Sequence, residues 1–191
     1  IEALGFEVVF TRKIDKTLSL EERTVIAEAA RGDIFVSVHS NASTRKATRG
    51  IEIYSLDENH ERHSLDVAAR ENGVRRSEVD SLQRAMAKLH VHEASEHSVR
   101  LANAVHDSLM PGLRKNYGGV PDLGVKKGPF YVLFLSSMPA ILLESGFLTN
   151  KHDARLLRSK AYLEAMADHV ATGLGNYRRQ GDQLLSSRLD Q

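Results

Sequence analysis

With 191 residues, 26 Lys+Arg against 25 Asp+Glu, nine His and neither Cys nor Trp, the chain has the length of one globular domain and a formal charge of +1. Near-neutrality gives no electrostatic case for a nucleic-acid partner. The lack of Cys excludes disulfide scaffolds, thiolate zinc sites, iron–sulfur clusters and thiol nucleophiles. Any metal must be held by His and carboxylates. Hydrophobic residues at 41% and charged residues at 27% are far from the composition of a disordered chain. No apolar run approaches the about 20 residues that cross a bilayer.

Ile1 to Gly5 reads as the last turn of a helix stopped by Gly, and Phe6 to Thr11 as a strand. In an α/β protein such a helix follows an earlier strand, so one βα unit is expected upstream of Ile1. A helix is expected from Leu18 or Ser19 to about Arg31, with Glu21 and Glu22 suited to its dipole and Gly32-Asp33 ending it. Ile34 to His39 is almost continuously apolar and β-branched, the pattern of a strand buried on both faces of a parallel sheet. Gly50 to Tyr54 alternates like an edge strand.

Residues 57–97 change character: they are charged, rich in helix formers and carry five of the nine His (His60, His63, His90, His92, His97). This stretch reads as a helical insertion on one side of the core. Within it, Ser77 to Met86 has helical spacing that places Leu82 and Met86 on one face. Ser98 to about Leu113 is an amphipathic helix closed by Pro111-Gly112, and Tyr117 to Gly124 a glycine-rich loop. Phe130 to Leu135 and Ala140 to Glu144 read as strands. A last helix, about Ala161 to Tyr177, is expected to bury Leu163, Met166, Val170 and Leu174, and a mobile polar tail follows over 179–191. The fold class is therefore α/β, a mixed, mostly parallel twisted sheet flanked by helices.

Ligands of open α/β sheets bind outside the carboxyl ends of parallel strands, where His39 and Glu144 both stand. An imidazole metal ligand beside a carboxylate base is the equipment of metal-assisted hydrolysis. Taken singly, a His at a strand end also serves as a structural hydrogen-bonding residue, and a Glu after an apolar run as the first solvated position. Pattern alone leaves both readings standing. Ser37, Asn41 and the Ser145-Gly146-Phe147 turn add the small polar residues and sharp bend of a cleft. His92 to His97 spells HExxxH, whose two His lie roughly 140° apart on a helix and cannot share a zinc. Lys126-Lys127-Gly128 lacks phosphate-loop spacing, and no G-x-S-x-G elbow is present.

Three ordered segments, TRKIDKTLSLEERTVIAEAARGDIFVSVHSNA, RGIEIYSL and LGVKKGPFYVLFLSSMPAILLESGFLTN, closely resemble the zinc-dependent N-acetylmuramoyl-L-alanine amidases of the Amidase_3 type. The resemblance runs from Ile1 to about Arg178. It implies an amidase catalytic domain over 1–178 that hydrolyses the amide between N-acetylmuramic acid and the L-alanine of peptidoglycan stem peptides, in the bacterial periplasm or outside the cell. It implies Zn2+ as cofactor, His39 as a zinc ligand and Glu144 as the catalytic glutamate. Arg12, Asp15 and Arg23 also match family positions and read as structural.

Family members carry a further His and a helix Glu in positions that would precede Ile1, so the remaining zinc ligands are expected upstream. The other class of reading is a catalytically silent peptidoglycan-binding or regulatory module. Cell-division members of the family carry a helical insert at the place of residues 57–97 that blocks the cleft and is moved by a LytM-type activator. The resemblance thus implies such a partner, while the residues themselves equally fit a solvated helical elaboration.

Overall fold

The structure is a computed structural model that describes residues 1–56, 62–79 and 92–189, with backbone alone at 62–63, 92–94 and 184–189. The helical positions singled out at Leu82 and Met86, and His60 and His90, lie outside the described residues. After a short 3-10 turn at Glu2–Leu4 come α1 (Leu20–Ala29), β1 (Phe35–Asn41), β2 (Ile51–Leu56), α2 (Arg62–Glu71), α3 (His92–Asn116), β3 (Asp122–Gly128), α4 (Tyr131–Phe134), β4 (Ala140–Phe147), α5 (Lys151–Leu156) and α6 (Lys160–Leu189). The strands form one sheet in the order β1-β4-β2-β3. β1 runs parallel to β4 and β2 parallel to β3, while β2 and β4 are antiparallel. The expected mixed, mostly parallel sheet flanked by helices is what forms.

Alternation along the strands divides the apolar side chains between two layers. Ile51, Ile53, Ile141 and Leu143 meet α3 and α6 through Leu101, Val105, Leu109, Met166 and Val170 on one face. On the other, Phe35, Tyr54, Ala140 and Leu142 meet α2 and α4 through Val67, Ala68, Val132 and Leu133. α1 begins with a capping box, in which Ser19 Oγ accepts from Glu22 N and the Glu22 carboxylate accepts from Ser19 N.

Several expectations are corrected. Residues 6–11 form no strand: among the described residues no neighbouring strand offers them a ladder, and Phe6 instead packs under the Arg178 guanidinium, 4.5 Å from its ring. β1 is an edge strand with Val38 64% exposed, not buried on both faces. β2 is the reverse: it lies inside the sheet between β4 and β3 and is buried along its whole length, with Glu52 compensated by the Tyr54 hydroxyl and Lys126. The run from Phe130 to Leu135 makes the short helix α4, since a brief apolar run has no period that separates helix from strand. Conversely, the last three residues of the glycine-rich stretch begin β3, which runs on to Gly128 and pairs with β2.

Pro111-Gly112 does not end α3, which continues to Asn116. Pro111 stands on the solvent side, and Gly112 admits the His169 ring of α6 to a place where a Cβ would lie 2.2 Å from it. Leu163 is 44% exposed, and Tyr162 takes its place in the core, in phase with Met166, Val170 and Leu174. The polar stretch expected as a tail from 179 remains helical through Leu189.

The α3–α6 contact also brings backbone against backbone at Gly173, where an added Cβ would come within 2.5 Å of Val105 Cα. The obstacle is backbone and cannot swing aside. Gly173→Ala is therefore expected to destabilise the fold by about 1–3 kcal/mol in chemical denaturation, in spite of alanine's higher helix propensity. An unchanged or raised midpoint would mean that the two helices are not so closely apposed.

Candidate active site

The β1–β4 ladder aligns Phe35 with Ala140 and, four steps on, His39 with Glu144. On the other side of β4 the antiparallel register sets Glu52 opposite the same Glu144. Cross-strand partners share a face. His39, Glu144 and Glu52 thus form one row across three strands, on the face that α2 covers. The two residues singled out from sequence are brought together as immediate neighbours, although 105 positions separate them.

Around His39 the ladder is reinforced by side chains. Ser145 Oγ donates to the His39 carbonyl at 2.7 Å and lies 3.2 Å from Ser40 Oγ. The pairing then shifts between His39 and Asn41. Gly146, with φ 143, supplies the bend in β4 that only glycine takes readily.

The ring of His39 meets a residue that no sequence pattern marked: its Nδ1 is 2.6 Å from Oε2 of Glu71, the last residue of α2. Beside it, Arg70 donates to the carbonyl of Ala42 and to Asn41 Oδ1. This end of α2 is firmly placed. Asn72 donates to Pro129 O at 3.0 Å and accepts from Tyr131 N at 2.8 Å, and Gly73 closes the helix with φ 66. Part of the charged insertion therefore lies directly over the row of site residues.

Glu52 and Glu144 are both 0% exposed, yet their surroundings differ. Glu52 accepts from the Tyr54 hydroxyl and has Lys126 Nζ 3.4 Å from Oε1, so its charge is compensated. Neither carboxylate oxygen of Glu144 has a hydrogen-bond partner among the described residues. Burial is the main cause that pushes its carboxyl up to about 8, with the Glu71 and Glu52 charges adding to it and Arg70 partly opposing. A buried carboxyl without partners is costly for a fold and is characteristic of sites where a proton or a cation is exchanged. A group that titrates near neutral pH can take a proton from water and return it to a leaving amine.

Whether these residues suit a metal can be tested on the donors. If Glu71 accepts the Nδ1 hydrogen of His39, the lone pair of Nε2 is left free, which is how a metal-binding imidazole is usually oriented by a carboxylate behind it. Next to it, Glu144, without a hydrogen-bond partner among the described residues, is able to ionise toward a bound cation. A catalytic zinc takes about three protein ligands, however, and among the described residues no three His, Asp or Glu are grouped to hold an ion. The described residues supply one well-oriented imidazole and leave the ligand set incomplete.

Comparison with known proteins gives a consistent result. A family model described as N-acetylmuramoyl-L-alanine amidase matches residues 1–176. The uncharacterized protein YqiI of Bacillus subtilis is 31% identical over 91% of this chain and 65% of its own length. The N-acetylmuramoyl-L-alanine amidase AmiC of Neisseria meningitidis serogroup B is 29% identical over 93% of this chain and 43% of its own. Among solved structures, the amidase AmiC2 of Nostoc punctiforme superposes with a TM-score of 0.65 at 28% identity, covering 93% of this chain and 76% of that one. The chain spans less than two thirds of the length of these two sequence relatives.

The state of Glu144 has a measurable consequence. In the unfolded chain it ionises near 4.5, in the folded chain near 8, so between those values the folded form holds the extra proton. Stability then falls as pH rises through that window and levels off above it. Glu144→Gln carries no such penalty. In chelator-treated buffer the variant's melting temperature is expected to gain on that of the parent chain across this window, the gap becoming constant at higher pH. A gap that does not change with pH would show that Glu144 is solvated or paired.

Proposed function

The chain belongs to the N-acetylmuramoyl-L-alanine amidase family, and on that premise we propose that it is the catalytic part of a peptidoglycan hydrolase. The bond cleaved is the amide between the lactyl group of N-acetylmuramic acid and the L-alanine of the stem peptide. The observation that carries this reading is the buried, unpartnered Glu144 in register with His39. Glu144 serves as the proton carrier: as carboxylate it takes a proton from the attacking water, and as acid it delivers that proton to the departing L-alanine amine.

His39, oriented by Glu71, serves as one ligand of a Zn2+ ion, with the other ligands outside the described residues. When bound, zinc polarises the scissile carbonyl and lowers the pKa of water. The place of work is the cell envelope, periplasmic or extracellular, where peptidoglycan lies. Because α2 ends on His39 through Glu71, this helix of the insertion acts as a cover that a LytM-type activator displaces. Residues 1–178 form the catalytic domain.

The assay is release of stem peptide from purified sacculi by the protein that carries this chain. Glu144→Gln is expected to keep bound zinc and to lose about 10²–10⁴-fold in rate, whereas His39→Ala is expected to lose the metal itself. Glu71→Ala is expected to weaken zinc binding, since His39 loses the carboxylate that orients it, whereas Arg70→Ala, which frees the end of α2 from Ala42 and Asn41, is expected to raise the rate in the absence of an activator. Full release by Glu144→Gln contradicts the proton-carrier role, and undiminished zinc in His39→Ala contradicts the ligand role. A fall in rate for Arg70→Ala contradicts the cover, and unchanged zinc affinity in Glu71→Ala contradicts the orienting role. Sacculus binding without any release by the parent protein would identify a silent binding module instead.

A further inference from the structure

An open cavity of about 430 Å³ lies at the carboxyl ends of β1 and β4, lined by Lys46, Arg49, Thr149, Asn150, Lys151 and His152. We propose that it is a subsite for the free carboxylates of the stem peptide, which become part of the leaving product; this rests on the amidase reading above.

The cavity is built by two loops that hold each other. Ser43 N donates to Thr149 Oγ1 at 3.0 Å, and Asn150 Nδ2 donates to Lys46 O at 2.8 Å. Asn150 Oδ1 in turn accepts from His152 N at 2.9 Å, and Arg49 donates to Gly119 O. The walls are therefore fixed by side-chain bonds on both sides, as a preorganised binding site requires.

Its charge is one-sided. Lys46, Arg49, Lys151 and His152 are basic residues, and the carboxylate set against them among the described residues is that of Asp153. Asp153 Oδ2 is already committed to the backbone N–H groups of Gly50 and Phe147. Its Oδ1 lies 3.6 Å from Arg49 Nε and 3.8 Å from His152 Nδ1. Among the described residues the exposed ammonium groups of Lys46 and Lys151 have no carboxylate partner, and Arg49 Nε is buried without a hydrogen bond. One negative charge thus serves several positive ones, and the surplus faces the cavity.

Position identifies the occupant. The loops start at Ala42 and Leu148, three and four residues beyond His39 and Glu144. At about 3.3 Å per residue this is roughly 10 Å along the strands from the reacting groups. An extended peptide spans the same distance in about three residues. In the substrate the lactyl carboxyl of the sugar is consumed by the scissile amide, so the glycan side of the bond is neutral there. Free carboxylates occur only on the peptide side. A cationic cavity one short peptide away from Glu144 therefore receives the stem peptide and sets its direction in the cleft.

The test uses the acidic tripeptide L-Ala-γ-D-Glu-meso-diaminopimelic acid and its carboxamide form, titrated into the chain by NMR or calorimetry. The acid is expected to bind and the carboxamide to bind more weakly. Reversing the two exposed charges with Lys46→Glu and Lys151→Glu is expected to weaken the acid by roughly two- to thirtyfold, with the carboxamide unaffected. With the parent protein on soluble muropeptide, the same variant is expected to raise KM and to leave kcat in place.

Equal binding of acid and carboxamide, or unchanged affinity in the folded charge-reversed variant, overturns the subsite. The outcomes separate the two readings: charge-dependent binding without hydrolysis by the parent protein contradicts the amidase activity and keeps the subsite. Hydrolysis with charge-independent peptide binding does the reverse.

Discussion

Everything at the site depends on the parallel pairing of β1 with β4. That ladder puts His39 beside Glu144 by backbone geometry alone, with no flexible segment between them. Because side chains alternate, a slip of one residue in either strand would turn one of the two to the opposite face, toward α3 and α6. Register is held at both ends. Apolar Phe35, Ala140 and Leu142 must reach the α2 and α4 layer, and at the far end Ser145 ties itself to the His39 carbonyl.

The second constraint is charge compensation in a dry row. Two carboxylates facing each other across an antiparallel pair would repel strongly if both were ionised and unpaired. The fold resolves this unequally. Glu52 is given Tyr54 and Lys126, while Glu144 is left with no hydrogen bond among the described residues and with Glu71 and Glu52 as neighbours. The same arrangement that costs stability at high pH leaves Glu144 able to exchange a proton, as the proton-carrier role proposed for it requires, and lets it ionise toward a cation placed beside it. The positive loops beyond the strand ends complement this, so the edge of the sheet changes sign over a few residues.

Much of this was legible in the sequence wherever one local signal dominated. The run ending at His39 is legible as a strand because it is rich in β-branched and aromatic residues, and the equally short apolar run ending at Glu144 takes its extended form in pairing with β1 and β2. Ser19 and Glu22 announce α1 through the capping box. What escaped notice was set by tertiary contacts. β3 contains two lysines and two glycines, and its extended form comes from pairing with β2. The helix of α3 survives Pro111 because Leu109, Met110 and Leu113 are buried against α6. Glu71 closes a charged helix indistinguishable from a solvated one, and only the placement of α2 over the sheet reveals its contact with His39. Glu52 did carry a signal, a lone charge in Ile51-Glu52-Ile53, which was consistent with an exposed face until β2 proved to be interior.

The central claim is that Glu144 is buried, unpaired and poised to exchange a proton near neutral pH. Infrared difference spectroscopy of the metal-free chain, with Glu144→Gln to assign the band, observes that carboxyl directly. The account predicts a protonated carboxyl band at mildly acidic pH that disappears as pH rises through about 8 and is absent from the variant. A carboxylate already ionised near the ordinary glutamate value would contradict it.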